Sequence, residues 1–254
     1  MDDKKIILQF EDVELCYQTK TGETLALQHM DFTIYDGEFI AIVGPSGCGK
    51  TTILSLAAGL LQPTKGNVKL HGAKPECGNE NLGYMLQRDE LFPWRTVEKN
   101  IFLPLEIKKL KDPKYKEHTL SLAKKYGLEN FLKRYPNELS GGMRQRVALI
   151  RTLSANPSLL LLDEPFSALD AQTRLSVCND VYTIIKAEKK TAILVTHDIT
   201  EAISVADRIF VLTARPAKVR TIHCLPFGNL EAIKRRELPA FSTWFEKLWK
   251  ELNT

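Results

Sequence analysis

One octapeptide constrains this chain more than any other: Gly44-Pro45-Ser46-Gly47-Cys48-Gly49-Lys50-Thr51, which fits the spacing G-x-x-x-x-G-K-[ST]. Its context matters as much as its letters. The apolar run Glu38 to Val43 leads into it at buried-strand length. Behind it Ile53, Leu54, Leu56, Ala57, Leu60 and Leu61 recur at helical spacing until Gln62-Pro63. Strand, glycine loop and helix together let successive backbone N–H groups curl around an anion, and the helix dipole adds about half a positive charge. Lys50 is expected to reach the β- and γ-phosphates of a nucleotide and the Thr51 hydroxyl to ligate Mg2+. Residues Gly44 to Thr52 are the expected nucleotide contacts.

The rest of the chain repeats the strand-then-helix rhythm. Leu159 to Leu162, Ala192 to Val195 and Ile209 to Leu212 are further buried strands with helical stretches between them, the pattern of parallel βαβ units. Ahead of the octapeptide, Ile7 to Tyr17 and His29 to Tyr35 alternate loosely about the polar turn Gln18 to Glu23, which predicts an antiparallel β region. Between Gln87 and Ser140 the buried strands stop and Lys108, Lys109, Lys111, Lys114 and Lys116 crowd together. That stretch is read as a helical insert with a solvated lysine face.

The predicted organisation is a single α/β domain over 1–254. Residues 1–86 and 159–228 form its core, about 87–158 a helical lobe and 229–254 a helical tail. In that tail Phe241, Trp244, Phe245, Leu248, Trp249 and Leu252 make one apolar stripe behind the basic cluster Lys234, Arg235 and Arg236. The stripe predicts a helix packed on its own domain, with a membrane-surface helix as the alternative.

Composition narrows the function. With 44% hydrophobic and 26% charged residues the chain has the makeup of a folded globular domain, which excludes disorder. A formal net charge of +4 argues against a dedicated polyanion binder. No apolar run reaches the ~18–20 residues of a bilayer span. The start, Met1 to Leu8, has acidic residues and a short apolar core, unlike a signal peptide. Five scattered cysteines (Cys16, Cys48, Cys77, Cys178, Cys224) with no CxxC pair point to neither disulfides nor zinc, so a reduced, cytoplasmic setting is expected.

Two more strand ends supply chemistry. Four leucines run into Asp163-Glu164-Pro165, where Asp163 suits a Mg2+ shell and Glu164 a general base that orients an attacking water. Adjacent carboxylates could also be plain surface residues. His197 follows the strand Ala192 to Val195 and could report a γ-phosphate, or could simply cap the next element. Leu139-Ser140-Gly141-Gly142-Met143-Arg144-Gln145 opens a helix with Met143, Val147, Ile150 and Ser154 on one face. Ser140 is a good N-cap, and Gly141 and Gly142 leave the terminal N–H groups bare for a second phosphate contact.

These segments, in this order, resemble the ATP-binding subunit of an ABC transporter. Gly44 to Thr51 is similar to the Walker A loop, Gln87 to the Q-loop glutamine, Leu139 to Gln145 to the signature, Leu159 to Glu164 to Walker B, Ser167 to Asp170 to the D-loop and His197 to the switch histidine. Tyr17 stands where that family stacks a ring on adenine. The resemblance implies a P-loop NTPase fold of the ABC type with ATP and Mg2+ as cofactors. It places Glu164, His197, Lys50 and Gln87 at the chemistry and Thr51, Gln87 and Asp163 at the metal. It further implies a head-to-tail homodimer, or a dimer with a sister subunit, that closes ATP between one P-loop and the other chain's Ser140 to Gly142. Integral membrane permease subunits would be direct partners and a solute-binding protein an indirect one, with no nucleic acid, on the inner face of the cell membrane.

The segments Tyr84 to Val97 and Ser140 to Val147 resemble the importer group for nitrate, sulfonate, taurine and thiamine-pyrimidine precursors, although Leu86 stands where that group usually has Phe. Leu91, Phe92 and Trp94 would receive a short helix of the permease, with a core role as the alternative, chiefly for Leu91. Two rival functions stay open: a non-transport ABC ATPase acting on nucleic acid or the ribosome, and a small-molecule P-loop kinase. Cys48 lies inside the loop, so alkylation is expected to block activity unless ATP is bound.

Overall fold

In the computed structural model residues 5–19 and 22–253 are described. The first four residues and the centre of the Gln18 to Glu23 turn therefore lie outside the described residues. Two long strands, β1 (Ile6–Thr19) and β2 (Gly22–Tyr35), pair antiparallel, and β4 (Lys65–Leu70) adds to the other side of β1. Between them in sequence come β3 (Phe39–Val43) and α1 (Lys50–Ala57). Then follow β5 (Leu82–Met85), α2 (Val97–Ile101), α3 (Leu103–Ile107), α4 (Pro113–Lys125) and α5 (Gly141–Leu153). The chain continues through β6 (Leu159–Asp163), α6 (Ala171–Ala187), β7 (Thr191–Val195), α7 (Ile199–Val205), β8 (Arg208–Leu212) and β9 (Val219–Cys224). It closes with α8 (Ala232–Arg236) and α9 (Pro239–Leu252).

The second sheet has the order β5-β6-β7-β3-β8-β9, parallel except for β9. Its central strands are apolar on both faces, as a strand covered on both sides must be. The period of two then sorts the side chains. Leu160, Leu162, Ala192 and Leu194 face one core with α5 and α6. Leu159, Leu161, Ile193, Val195, Ile40 and Ile42 face another with α1 and the antiparallel sheet. The insert helices share the first of these cores with the strands. At roughly 1.5–3 kcal/mol per buried leucine or isoleucine, such faces carry the bulk of the stabilisation.

One helix, one strand and one side chain differ from the sequence reading: β2 begins at Gly22 rather than at His29. The helix after the phosphate loop stops at Ala57, well before Pro63, because Gly59 adopts φ 69° and the N–H groups of Gly59 and Leu60 turn back to Leu56 and Ser55. Arg235, read as one of the basic cluster ahead of the tail stripe, is fully buried and donates to the carbonyls of Leu230, Ala206 and Gly228 and to the Tyr182 hydroxyl. All of the tail stripe but the exposed Trp249 packs on its own domain: Leu248 is buried against β3, α7 and β8, and Glu251 accepts hydrogen bonds from Thr221 and His223 of β9.

The parallel order brings the carboxyl ends of β3, β5, β6 and β7 to one edge. A doubly wound sheet binds ligands outside that edge. Gly44, Gln87, Glu164 and His197 all leave from there.

Candidate functional site

The phosphate loop is shaped before any ligand arrives. Gly49 sits at φ 125°, and a Cβ there would lie 2.8 Å from Leu27 Cδ2, so only glycine fits. Lys50 is buried, and its ammonium donates to the carbonyls of Gly44 at 2.9 Å and Pro45 at 3.0 Å, which folds the side chain back across the loop. Ser46 and Gly47 form the exposed tip, with Gly47 accepting from Arg215 Nη2 at 2.9 Å. Cys48 is buried, and burial pushes its thiol up against the opposing charges of Lys50 and Arg215. A buried, protonated thiol is a slow nucleophile, so alkylation at Cys48 requires the loop to open. Tyr17 at the end of the antiparallel sheet has its hydroxyl 3.2 Å from that of Thr52, which sets the ring beside the start of α1.

Asp163 and Glu164 diverge at the end of β6. Asp163 Oδ1 accepts from the Thr51 hydroxyl at 3.2 Å and Oδ2 from the Tyr84 hydroxyl at 3.4 Å. Register explains Tyr84: it pairs with Leu161, so its side chain shares a face with Asp163 two residues on. Burial first, then the neighbouring Glu164, raises the Asp163 pKa; the Thr51 and Tyr84 hydrogen bonds and Lys50 oppose the rise. Glu164 takes φ 44°, a left-handed backbone uncommon outside glycine and asparagine. Its N–H donates to the Val195 carbonyl at 2.9 Å. The turn places the carboxylate beside His197 Nδ1 at 3.1 Å and Gln87 Nε2 at 3.4 Å. A carboxylate only accepts, so Nδ1 of His197 carries the proton and Nε2 remains for another partner.

Gln87 thus lies on the Glu164 side of the pair, with Ser167 Oγ also 3.4 Å from its amide. The oxygens of Thr51 and Asp163 form a hard donor set suited to Mg2+. Among the described residues no three His, Cys, Asp or Glu converge as a cage.

The second anion site stands apart. Ser140 caps α5 through Met143 N–H at 3.3 Å, and a cavity of about 280 Å3 lies between Ser140, Gly142, Arg146, Gln172 and Thr173. No residue of the phosphate loop lines it. Gly142 also has a packing reason: a Cβ would lie 3.0 Å from Val177 and 3.2 Å from Thr173 of α6.

Of the three residues read as a docking surface, Leu91 is buried in the core, whereas Trp94 is 73% exposed and stacks on Phe92 with ring centroids 5.0 Å apart. The sequence reading missed what presents them. Buried Asn100 accepts from Phe92 N–H and donates to the carbonyls of Phe92, Arg95 and Thr96. Its place among the apolar positions of α2 was the available signal.

Residues 27–167 match the family model described as ABC transporter. The chain is 47% identical over 249 residues to the ABC transporter ATP-binding protein YtlC of Bacillus subtilis, covering 97% of this chain and 96% of the relative. It is 44% identical over 233 residues to the aliphatic sulfonates import ATP-binding protein SsuB of Bacillus licheniformis, covering 91% and 89%. Among solved structures it is similar to a dimeric bacterial ABC transporter cassette, with a TM-score of 0.73 and 31% identity over 86% of this chain and 99% of that one. A dimeric post-hydrolysis cassette bound to ADP and Pi gives a TM-score of 0.71 at 30% identity, with the same coverage. With the strand-end geometry and these likenesses agreeing, the chain belongs to the ABC transporter ATP-binding family and is an ATPase.

Proposed function

We propose that this chain is the ATP-hydrolysing subunit of an importer, working as a pair of cassettes on a membrane permease for a small solute of the nitrate, sulfonate and taurine type. The observation that supports this most is the separation of the two anion sites. The phosphate loop and the Ser140 to Gly142 helix end belong to one chain, but the cavity lined by Ser140 and Gly142 contains no residue of the loop, so a second copy, or a sister subunit, would complete each ATP site. The dimeric solved relatives agree with that reading. The sulfonate import relative and the exposed Phe92–Trp94 pair support the permease. A solute-binding protein would act on the permease from the far side. No helix of the described residues is long and apolar enough to cross a membrane, so attachment would run through the permease on its cytoplasmic side. The working unit is one cassette over 1–254, with 87–158 as its helical lobe and 229–254 as its tail.

The chemistry then follows from the placed residues. Phosphates entering the loop meet its N–H groups and the Lys50 ammonium, and the adenine ring meets Tyr17. Glu164 accepts the proton of a water aimed at the γ-phosphorus, and the γ-phosphoryl group leaves ADP for that water's oxygen. His197, through Nε2, and Gln87 register the γ-phosphate and the water beside Glu164. Mg2+, held by Thr51 and Asp163, with Gln87 as a further ligand, would supply charge neutralisation at the phosphates. The closed pair is favoured only while γ-phosphate contacts both chains, and hydrolysis removes that preference.

Purifying the tagged chain from detergent-solubilised membranes tests this. An integral membrane protein should come with it in stoichiometric amount. Recovery with RNA, DNA or ribosomes instead would favour the non-transport reading.

A further inference from the structure

Arg174 lies in the first turn of α6, and its guanidinium folds back so that Nη2 donates to the Leu169 carbonyl at 2.9 Å, within the Ser167 to Asp170 segment. The other edge of the same group faces the segment after β7. Nη1 stands 3.6 Å from Asp198 Oδ2 and Nε 3.9 Å from Glu201 Oε1. Nε is buried and has no hydrogen-bond partner, which is costly for a charged donor and leaves a pair that a shift of about an ångström would close. Glu201 is itself buried, and its Oε2 accepts from the Thr196 hydroxyl at 2.5 Å. That hydroxyl oxygen accepts from Asp198 N–H at 3.0 Å, and Asp198 caps α7 through Thr200 and Glu201. Thr196 precedes His197, whose ring meets Glu164. Hydrogen bonds and long ion pairs thus run from Leu169 through Arg174, Asp198, Glu201 and Thr196 to the His197–Glu164 pair, loosest at the 3.6 and 3.9 Å steps from Arg174.

We propose that Arg174 is a positioning residue for hydrolysis, holding the Ser167 to Asp170 segment in register with the His197 segment and thereby fixing the aim of His197 on Glu164. It has no contact with the phosphate loop, so nucleotide affinity does not depend on it. The charged and titratable groups around Glu201 are Arg174 and Cys178 of α6, His197 and Asp198 of its own segment, and Arg236 of α8, which donates to Ser204 and acts on Cys178 together with Glu201. Burial chiefly raises the Glu201 pKa to about 7, so the charge that draws in Arg174 changes near neutrality.

The proposal rests on the reading of Glu164 and His197 as the hydrolytic pair, and four single variants with one double variant of the chain keep the two apart. Steady-state ATPase activity and nucleotide titration are measured for Arg174→Gln, Arg174→Lys, Glu201→Gln and His197→Ala, with thermal melts to confirm folding. Arg174→Gln should lower kcat about tenfold, with KM and nucleotide affinity within about twofold of wild type. Arg174→Lys, which keeps the charge, should recover part of the loss. The double variant Arg174→Gln with Glu201→Gln should be no slower than Arg174→Gln alone. The wild-type kcat should show a rise near pH 7 that Glu201→Gln lacks. Wild-type kcat in Arg174→Gln beside an inactive His197→Ala overturns the proposal alone, as do equal losses in kcat and affinity or fully additive losses. An active His197→Ala overturns the hydrolytic reading and the proposal with it.

Discussion

Glu164 holds its carboxylate where three strand ends meet by accepting a left-handed backbone at a cost of about 1–2 kcal/mol. The compensation is local: its N–H is bound by Val195, and Ser167 Oγ donates to its carbonyl at 3.0 Å. Strain of this kind collects where a side chain must be aimed. Glu201 shows a second residue-scale compromise. Its pKa stands at about 7 against 4.5 for the free side chain, so the folded chain binds that proton more tightly than the unfolded one. The resulting stabilisation is full below pH 4.5 and is lost as pH rises through 7, an amount of about 3 kcal/mol. Glu201→Gln is neutral throughout. Its stability relative to wild type in urea unfolding should therefore rise between pH 5 and pH 8 by up to about 3 kcal/mol. An equal difference at both pH values would refute the assignment. The same substitution is expected to weaken the pairing with Arg174, gaining stability while losing coupling.

At the scale of elements, α5 is fastened to the loop after Gln87. Arg144 Nε donates to Asp89 at 3.0 Å, and Arg151 donates to the carbonyls of Asp89 and Glu90 at 2.6 and 2.7 Å. A displacement of the loop that carries Phe92 and Trp94 is therefore felt at the helix whose N-terminus carries Ser140. The last helix, α9, is held by its apolar face, and Leu248 is its one fully buried residue. Leu248→Ala should cost about 2–5 kcal/mol in chemical unfolding, with ATPase activity per folded molecule retained. A variant of unchanged stability would show that α9 contributes nothing to the core.

Elements with strong periodicity or a continuous apolar run (β3, β6, β7, β8, α9) could be read directly from the chain, and so could the motifs at their ends. β4, β5 and β9 could not. β4 and β9 lie at sheet edges with half their side chains in water, and β5 has only four residues, so no apolar pattern marks them. The burial of Arg235 was equally hidden, because a cation enters a core only when carbonyls from distant turns converge on it. Tyr84 and Arg174 escaped notice for the same reason: each acquires its role from a neighbour across the fold.

At the scale of the whole molecule, the proposed function gives one chain two phosphate-binding ends, and the cavity at Ser140 and Gly142 is lined by no residue of the phosphate loop. In the proposed head-to-tail pair each end would meet the complementary end of the other chain, and ATP would become a component of the interface, so that binding and association would be linked. The pair should be transient in the wild type, because the ATPase removes its own adhesive. Glu164→Gln leaves the phosphate loop and the Ser140 helix intact while slowing that removal. The most direct measurement is the light-scattering mass of Glu164→Gln with saturating ATP and Mg2+. The mass should double relative to the nucleotide-free protein and return to the starting value when ADP replaces ATP. A mass that stays at one chain with ATP fully bound would contradict the shared-site account.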